Sequence, residues 1–246
     1  SNFAHPGGDP VQLEVDITGK HFESAAGERH DVLASIRFSL QAGEVGVFVG
    51  PSGCGKSTML KILAGLDHDY QGKVSRPAAA RLGMVFQEPR LLPWRSVEDN
   101  IRLAAPHIDE KRLSELFAVL ELTEHRSHFP GELSLGLARR VALARAFAIE
   151  PDFLILDEPL ASLDDALAAH LREQIATLVE SRVMITLLVT HNLDDAVYLG
   201  DRLFLLSARP ARILQEVPIP TPRTGRSAAE INHIKADLVQ RRLAKI

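Results

Sequence analysis

Gly50-Pro51-Ser52-Gly53-Cys54-Gly55-Lys56-Ser57-Thr58 follows the spacing G-x-x-x-x-G-K-[ST], a pattern that suits the binding of a phosphate chain. Glycine at positions 50, 53 and 55 lets the backbone adopt turns in which successive N–H groups face phosphate oxygens. Lys56 supplies a cation for the terminal phosphates, the Ser57 hydroxyl can enter the shell of a Mg²⁺ ion, and a helix starting near Lys56 adds the positive end of its dipole. A second pattern is Phe153-Leu154-Ile155-Leu156-Asp157-Glu158, an apolar run that ends in two acids. Acids after an isolated strand usually only cap the next turn. Beside a phosphate loop they divide into a metal-holding group, Asp157, and a group that orients or deprotonates an attacking water, Glu158.

Both patterns need strands that end at one place. Val45 to Val49 is an apolar run ending at Gly50 and reads as a strand, and Lys56 to Ala64 reads as a helix closed by Gly65. Leu13-Val15-Ile17 and Ile36-Phe38-Leu40 alternate with polar residues as half-buried strands do. Further strands are expected at Lys73 to Ser75, Leu82 to Phe86, Phe153 to Leu156, Met184 to Val189 and Arg202 to Leu206. Helices are expected over Asp164 to Ser181, Leu193 to Leu199 and Ser227 to Leu243. This alternation implies an α/β fold with a parallel sheet. Residues 88–150 read as a helical lobe, 210–226 as a proline-rich stretch without a regular element, and 1–10 as a loose tail before one domain over 11–246.

Composition narrows the function classes. The chain has 246 residues, 46% hydrophobic and 24% charged, and a formal charge of −4. No basic excess of the kind that phosphate-backbone binding requires is present, so no nucleic-acid partner is expected. Cys54 is the only cysteine, which precludes an internal disulfide and fits a reducing compartment. The longest apolar runs fall far short of the roughly 20 residues that span a bilayer. Any membrane component would come from another chain.

Further motifs then appear in an order that resembles the ATP-binding subunit of ABC transporters, from about residue 12 to 216. Gln87 resembles the glutamine that reaches Mg²⁺ and the attacking water, Ala161-Ser162-Leu163-Asp164 the D-loop, and His191 the switch histidine at the γ-phosphate. Phe22 takes the place of the aromatic that stacks on adenine. Leu133-Ser134-Leu135-Gly136-Leu137 resembles the signature Leu-Ser-Gly-Gly-Gln, in which Ser134 and Gly136 would meet the nucleotide held by a second copy. Leu135 and Leu137 depart from it. Slow or partner-dependent hydrolysis, or a nucleotide-gated module without turnover, stands beside the reading in which the retained groups carry the contact. A non-transport ATPase of this family would bring a second cassette or coiled-coil insertions, and neither is seen.

The resemblance implies a P-loop NTPase fold with a RecA-like core, an antiparallel β subdomain and an α-helical subdomain. It also implies ATP and Mg²⁺ as ligands, ATP hydrolysis, a homodimer, and membrane permease subunits with a solute-binding protein as partners. The expected place is cytoplasmic, on the inner face of the cell membrane. Phe86 to Asn100 and Leu205 to Ile213 resemble the nitrate, sulfonate and taurine importers, and Leu91-Leu92-Pro93-Trp94 is the expected permease-docking segment.

Overall fold

Strand β3 (Val45–Val49) is buried at every position and lies in the interior of a mixed sheet, as expected of a strand covered on both faces. The computed structural model describes residues 12–25, 27–76 and 80–243, so the tail expected over 1–10 lies outside the described residues. Around β3 run the parallel strands β5 (Leu82–Val85), β6 (Phe153–Asp157), β7 (Ile185–Thr190) and β8 (Arg202–Leu206), in the spatial order β8-β3-β7-β6-β5. An antiparallel layer of β1 (Gln12–Glu23), β2 (Arg29–Gln41) and β4 (Gln71–Ser75) continues the sheet.

One strand departs from the sequence expectation. Within the stretch read as lacking a regular element, Ala211–Pro218 forms β9, antiparallel to β8 and parallel to β2. Pro210 and Pro218 obscure it, but they only bound the segment, and the residues between them alternate in burial with Ala211 and Val217 inward. β9 is the seam that joins the antiparallel layer to the parallel core.

Two apolar layers follow from the period-two alternation of the strands. On one face, Val45, Val47, Leu154 and Leu156 pack against α2 (Val97–Ala104), α3 (Glu110–Val119), α4 (Leu135–Ala148), α5 (Asp165–Glu180), α6 (Leu193–Leu199) and α7 (Ala228–Leu243). On the other, Phe48, Ile155, Leu187 and Phe204 pack against α1 (Lys56–Leu63) and the antiparallel layer. Phe38 of β2 stands 5.0 Å from Phe48 and 5.2 Å from Phe204, ring centre to ring centre. Such pairs contribute about 0.5–1.5 kcal/mol each beyond their buried area, which fixes the angle between the two layers.

Side chains also define where the helices begin. Ser96, Asp109, Ser134, Asp164 and Asn192 each accept a backbone N–H of the helix that follows them. A cap of this kind is worth about 1 kcal/mol.

Candidate functional site

Because β3, β5, β6 and β7 are parallel, their carboxyl ends share one edge of the sheet, where ligands of open α/β sheets bind. The phosphate loop leaves β3 there. Gln87 follows β5, Asp157 and Glu158 end β6, and His191 follows β7. Phe22, Ser52, Gly53, Gly55, Lys56, Ser57, Thr58, Gln87 and Glu158 line a cleft of about 460 Å³, together with Val32 and Arg209.

The loop is shaped by glycine where it must be. Gly55 has φ +121°, and a Cβ there would lie 3.0 Å from the Val32 carbonyl oxygen, so both conformation and space require its absence. Gly50, Pro51 and Cys54 do not line the cleft: the Cys54 sulfur is buried within the antiparallel-layer core, so this thiol is a packing group. Lys56 is buried and donates to the carbonyl oxygens of Gly50 at 3.0 Å and Pro51 at 2.9 Å. Its ammonium is thus held at the loop and is 3.7 Å from Glu158 Oε1.

Glu158 spans two side chains. While Oε1 faces Lys56, Oε2 lies 3.2 Å from His191 Nδ1. Its backbone has φ +46°, a conformation that costs a non-glycine residue about 1–3 kcal/mol and that surrounding structure must impose. Glu158 N–H donates to Val189 O at 2.9 Å, which ties this turn to β7. Ser162 in the next turn also has positive φ, and Asp164 caps α5.

Ser57 Oγ donates to Asp157 Oδ2 at 3.5 Å, so a hydroxyl and a carboxylate oxygen converge at the start of α1. Burial raises the Asp157 pKa, the negative charge of Glu158 raises it further, and Ser57, Lys56 and Arg90 only partly oppose this. A hard oxygen pair with an unfavourably buried charge is the donor set that a divalent cation would relieve. The residues therefore fit Mg²⁺.

The sign of that perturbation gives a test. With its folded pKa raised, Asp157 binds its proton more tightly in the folded chain than in the unfolded one. Its contribution to stability therefore falls as pH rises from the ordinary aspartate range through the raised value. Asp157→Asn should raise the Tm of the ligand-free protein near neutral pH by about 2–4 °C. The gain should shrink in acid and be absent when wild type is saturated with Mg²⁺ and nucleotide, as calorimetry would record.

Ser134 and Gly136 do not line the cleft. The Ser134 hydroxyl accepts Leu137 N–H at 3.3 Å as the cap of α4, keeping its proton free to donate. Gly136 is buried, and a Cβ there would lie 2.7 Å from Leu167 Cδ2, so this glycine lets α4 approach α5. Leu137 packs inward on the helical core, while Leu135 remains 45% exposed on the first turn of α4. Of the two departures from the signature pattern, only Leu135 presents its side chain to solvent.

Arg209, Arg139 and Arg145 were missed by sequence reasoning. Arg209 lines the cleft, with its Nε donating to Asp31 O at 3.3 Å, and Arg139 donates to the backbone of the Glu158 turn. Arg145 of α4 donates to Pro89 O and Arg90 O just beyond Gln87. Arg209 lay inside the Leu205 to Ile213 segment, whose spacing offers no chemistry until the fold folds it over Asp31.

Residues 33–161 match the model of the ABC transporter family. The chain belongs to the ABC transporter ATP-binding family. It is 42% identical over 200 residues to aliphatic sulfonates import ATP-binding protein SsuB 2 of Pseudomonas syringae pv. tomato, covering 80% of this chain and 86% of that one. The corresponding protein of Bacillus subtilis is 41% identical over 219 residues, covering 85% of each. A dimeric ATP-binding cassette in a post-hydrolysis state bound to ADP and Pi superposes with a TM-score of 0.73 at 25% identity, covering 85% of this chain and all of that one. This ABC protein therefore has the RecA-like fold with a mixed sheet and a helical subdomain. It is an ATPase that uses ATP and Mg²⁺ and is the motor subunit of an ABC transporter.

Proposed function

We propose that this chain drives import of a small anionic solute of the sulfonate, taurine or nitrate kind, and that the cleft residues divide the work of ATP hydrolysis as follows. The observation that carries the reading is the convergence of Lys56, Glu158 and His191 beside the Ser57–Asp157 oxygens. Phe22 stacks on adenine. The loop from Gly50 to Thr58, with Pro51, Ser52, Gly53, Cys54 and Gly55 between them, wraps the phosphates through the backbone N–H groups of its residues other than Pro51, and Lys56 neutralises their terminal charge. Ser57, Asp157 and Gln87 would hold Mg²⁺, which when bound offsets charge on the β- and γ-phosphates. Glu158 orients and deprotonates the attacking water, and His191 contacts the γ-phosphate and steadies the Glu158 carboxylate. Ser134 and Gly136 of the second copy complete each site, so that ATP binding favours the closed dimer and hydrolysis releases it.

Likeness to sulfonate importers supports the solute class. Permease subunits supplied by other chains, a solute-binding protein and a place on the inner membrane face belong to the same proposal; among the described residues no helix is long and apolar enough to cross a membrane. Trp94 supports the docking segment: it is 71% exposed, beside Leu91, which packs on the helical core, and Leu92, whose backbone is fixed by Asn100. Trp94→Ala should leave ATP turnover of the isolated protein within about twofold while reducing co-purification with the permease at least tenfold, since exposed tryptophans dominate interface energies. Proteoliposomes holding the whole complex and internal ATP should take up at least one of a labelled alkanesulfonate, labelled taurine and labelled nitrate. Uptake of none of the three anions would set aside the solute class while leaving the motor assignment intact.

A further inference from the structure

The left-handed turn at Glu158 has a support that comes from the helical lobe. Arg139, on the second turn of α4, donates from Nη1 to the carbonyl oxygen of Glu158 at 3.1 Å and to that of Pro159 at 2.6 Å. Arg139 is buried, at 5% exposure for the residue as a whole, and these carbonyls, not a carboxylate, accept its hydrogen bonds. Its Nε has no hydrogen-bond partner among the described residues. Burial lowers the Arg139 pKa, but a guanidinium stays charged at any pH the protein meets. A buried cation with an unpaired donor is an unfavourable choice for packing alone, because an apolar side chain of similar volume would fill the space without desolvating a charge.

We propose that Arg139 is a positioning residue for Glu158, clamping the two successive carbonyls behind it so that the carboxylate stays aimed between Lys56 and His191. The inference rests on the reading of Glu158 as the water-activating group. Arg139 does not line the nucleotide cleft; its hydrogen bonds there go to backbone carbonyls, and its positive charge also attracts the negative charge of Glu158. Since the same helix carries Ser134 at its N-cap, the clamp also links Glu158 to the segment that serves the partner's site. A displacement of α4 thereby changes the geometry of hydrolysis without changing the loop that binds ATP.

The test compares Arg139→Gln and Arg139→Lys with Glu158→Gln in the full chain. Arg139→Gln should lower kcat at least tenfold with the Kd for MgATP within twofold of wild type, and should accumulate an ATP-bound dimer on size exclusion. Arg139→Lys, which retains a donor, should recover at least threefold of that loss. In a Glu158→Gln background either substitution should change the single-turnover rate by less than twofold, because its effect passes through the missing carboxylate. Wild-type turnover in Arg139→Gln would overturn the proposal, as would equal losses in both backgrounds or a parallel loss of affinity and kcat. If Arg139→Gln does not fold, Arg139→Lys in the two backgrounds decides by the same criterion. Wild-type turnover in Glu158→Gln would instead remove the role assigned to Glu158, a failure visible without any Arg139 variant.

Discussion

Glu158→Gln is expected to reduce steady-state ATP turnover by about 100-fold or more while leaving nucleotide affinity near that of wild type. A positioned general base contributes about 10²–10⁴-fold to a rate, and the amide cannot accept the proton of the attacking water. The substitution is nearly isosteric, so the turn at φ +46° and its carbonyl contacts to Arg139 should persist. The hydrogen-bond position 3.2 Å from His191 remains filled. Because ATP is bound but not cleaved, the closed dimer should persist and become visible by size exclusion in the presence of ATP. Phosphate release and fluorescent-nucleotide titration, performed on the same sample, check both halves of the result. Equal loss of binding and turnover would point to a phosphate-holding role for Glu158 instead.

Lys56→Ala should act on the other half of the cycle. The ammonium is buried and held by Gly50 O and Pro51 O, so its charge waits where the terminal phosphates are expected. Hydrogen bonds to charged groups contribute about 1.5–3 kcal/mol each, and losing one should weaken MgATP binding by about 10- to 150-fold. Turnover should fall at least as far, and ATP should no longer induce dimerisation. ADP affinity should fall less than ATP affinity, because the γ-phosphate contact is missing from ADP in any case. Titration of both nucleotides measures this difference, and equal losses for the two would place Lys56 on the inner phosphates alone.

The contrast between these residues and Arg139 shows where sequence reading works. The phosphate loop and the Asp157–Glu158 pair were legible because their groups are neighbours in the chain and their flanking strands have clear apolar patterns. The parallel α/β core and the helical lobe were legible for the same reason, since each element carries its own periodicity, whereas the RecA-like character of that core came from the resemblance of the motifs. Arg139, Arg145 and Arg209 were not, because each acts on backbone carbonyls supplied by a distant segment, and a carbonyl leaves no mark in sequence. β9 escaped for a related reason. Its short alternation lies between prolines, and its strand character is conferred by β2 and β8 on either side. At the signature segment the pattern alone could not separate Leu135 from Leu137, whose orientations differ only once α4 is packed on the core.

The seam formed by β9 also sets an order of assembly. Leu33 pairs with Ala211, so this edge of β2 cannot be covered until the roughly 170 residues between the two strands have been made. At the usual synthesis rate of about 5–20 residues per second, that edge waits roughly 10–40 seconds on the ribosome. Throughout this interval β2 presents unpaired N–H and C=O groups next to apolar side chains, the combination that recruits foreign strands. Newborn chains therefore carry an open strand edge until β9 emerges, so a strand made early depends for its protection on one made late.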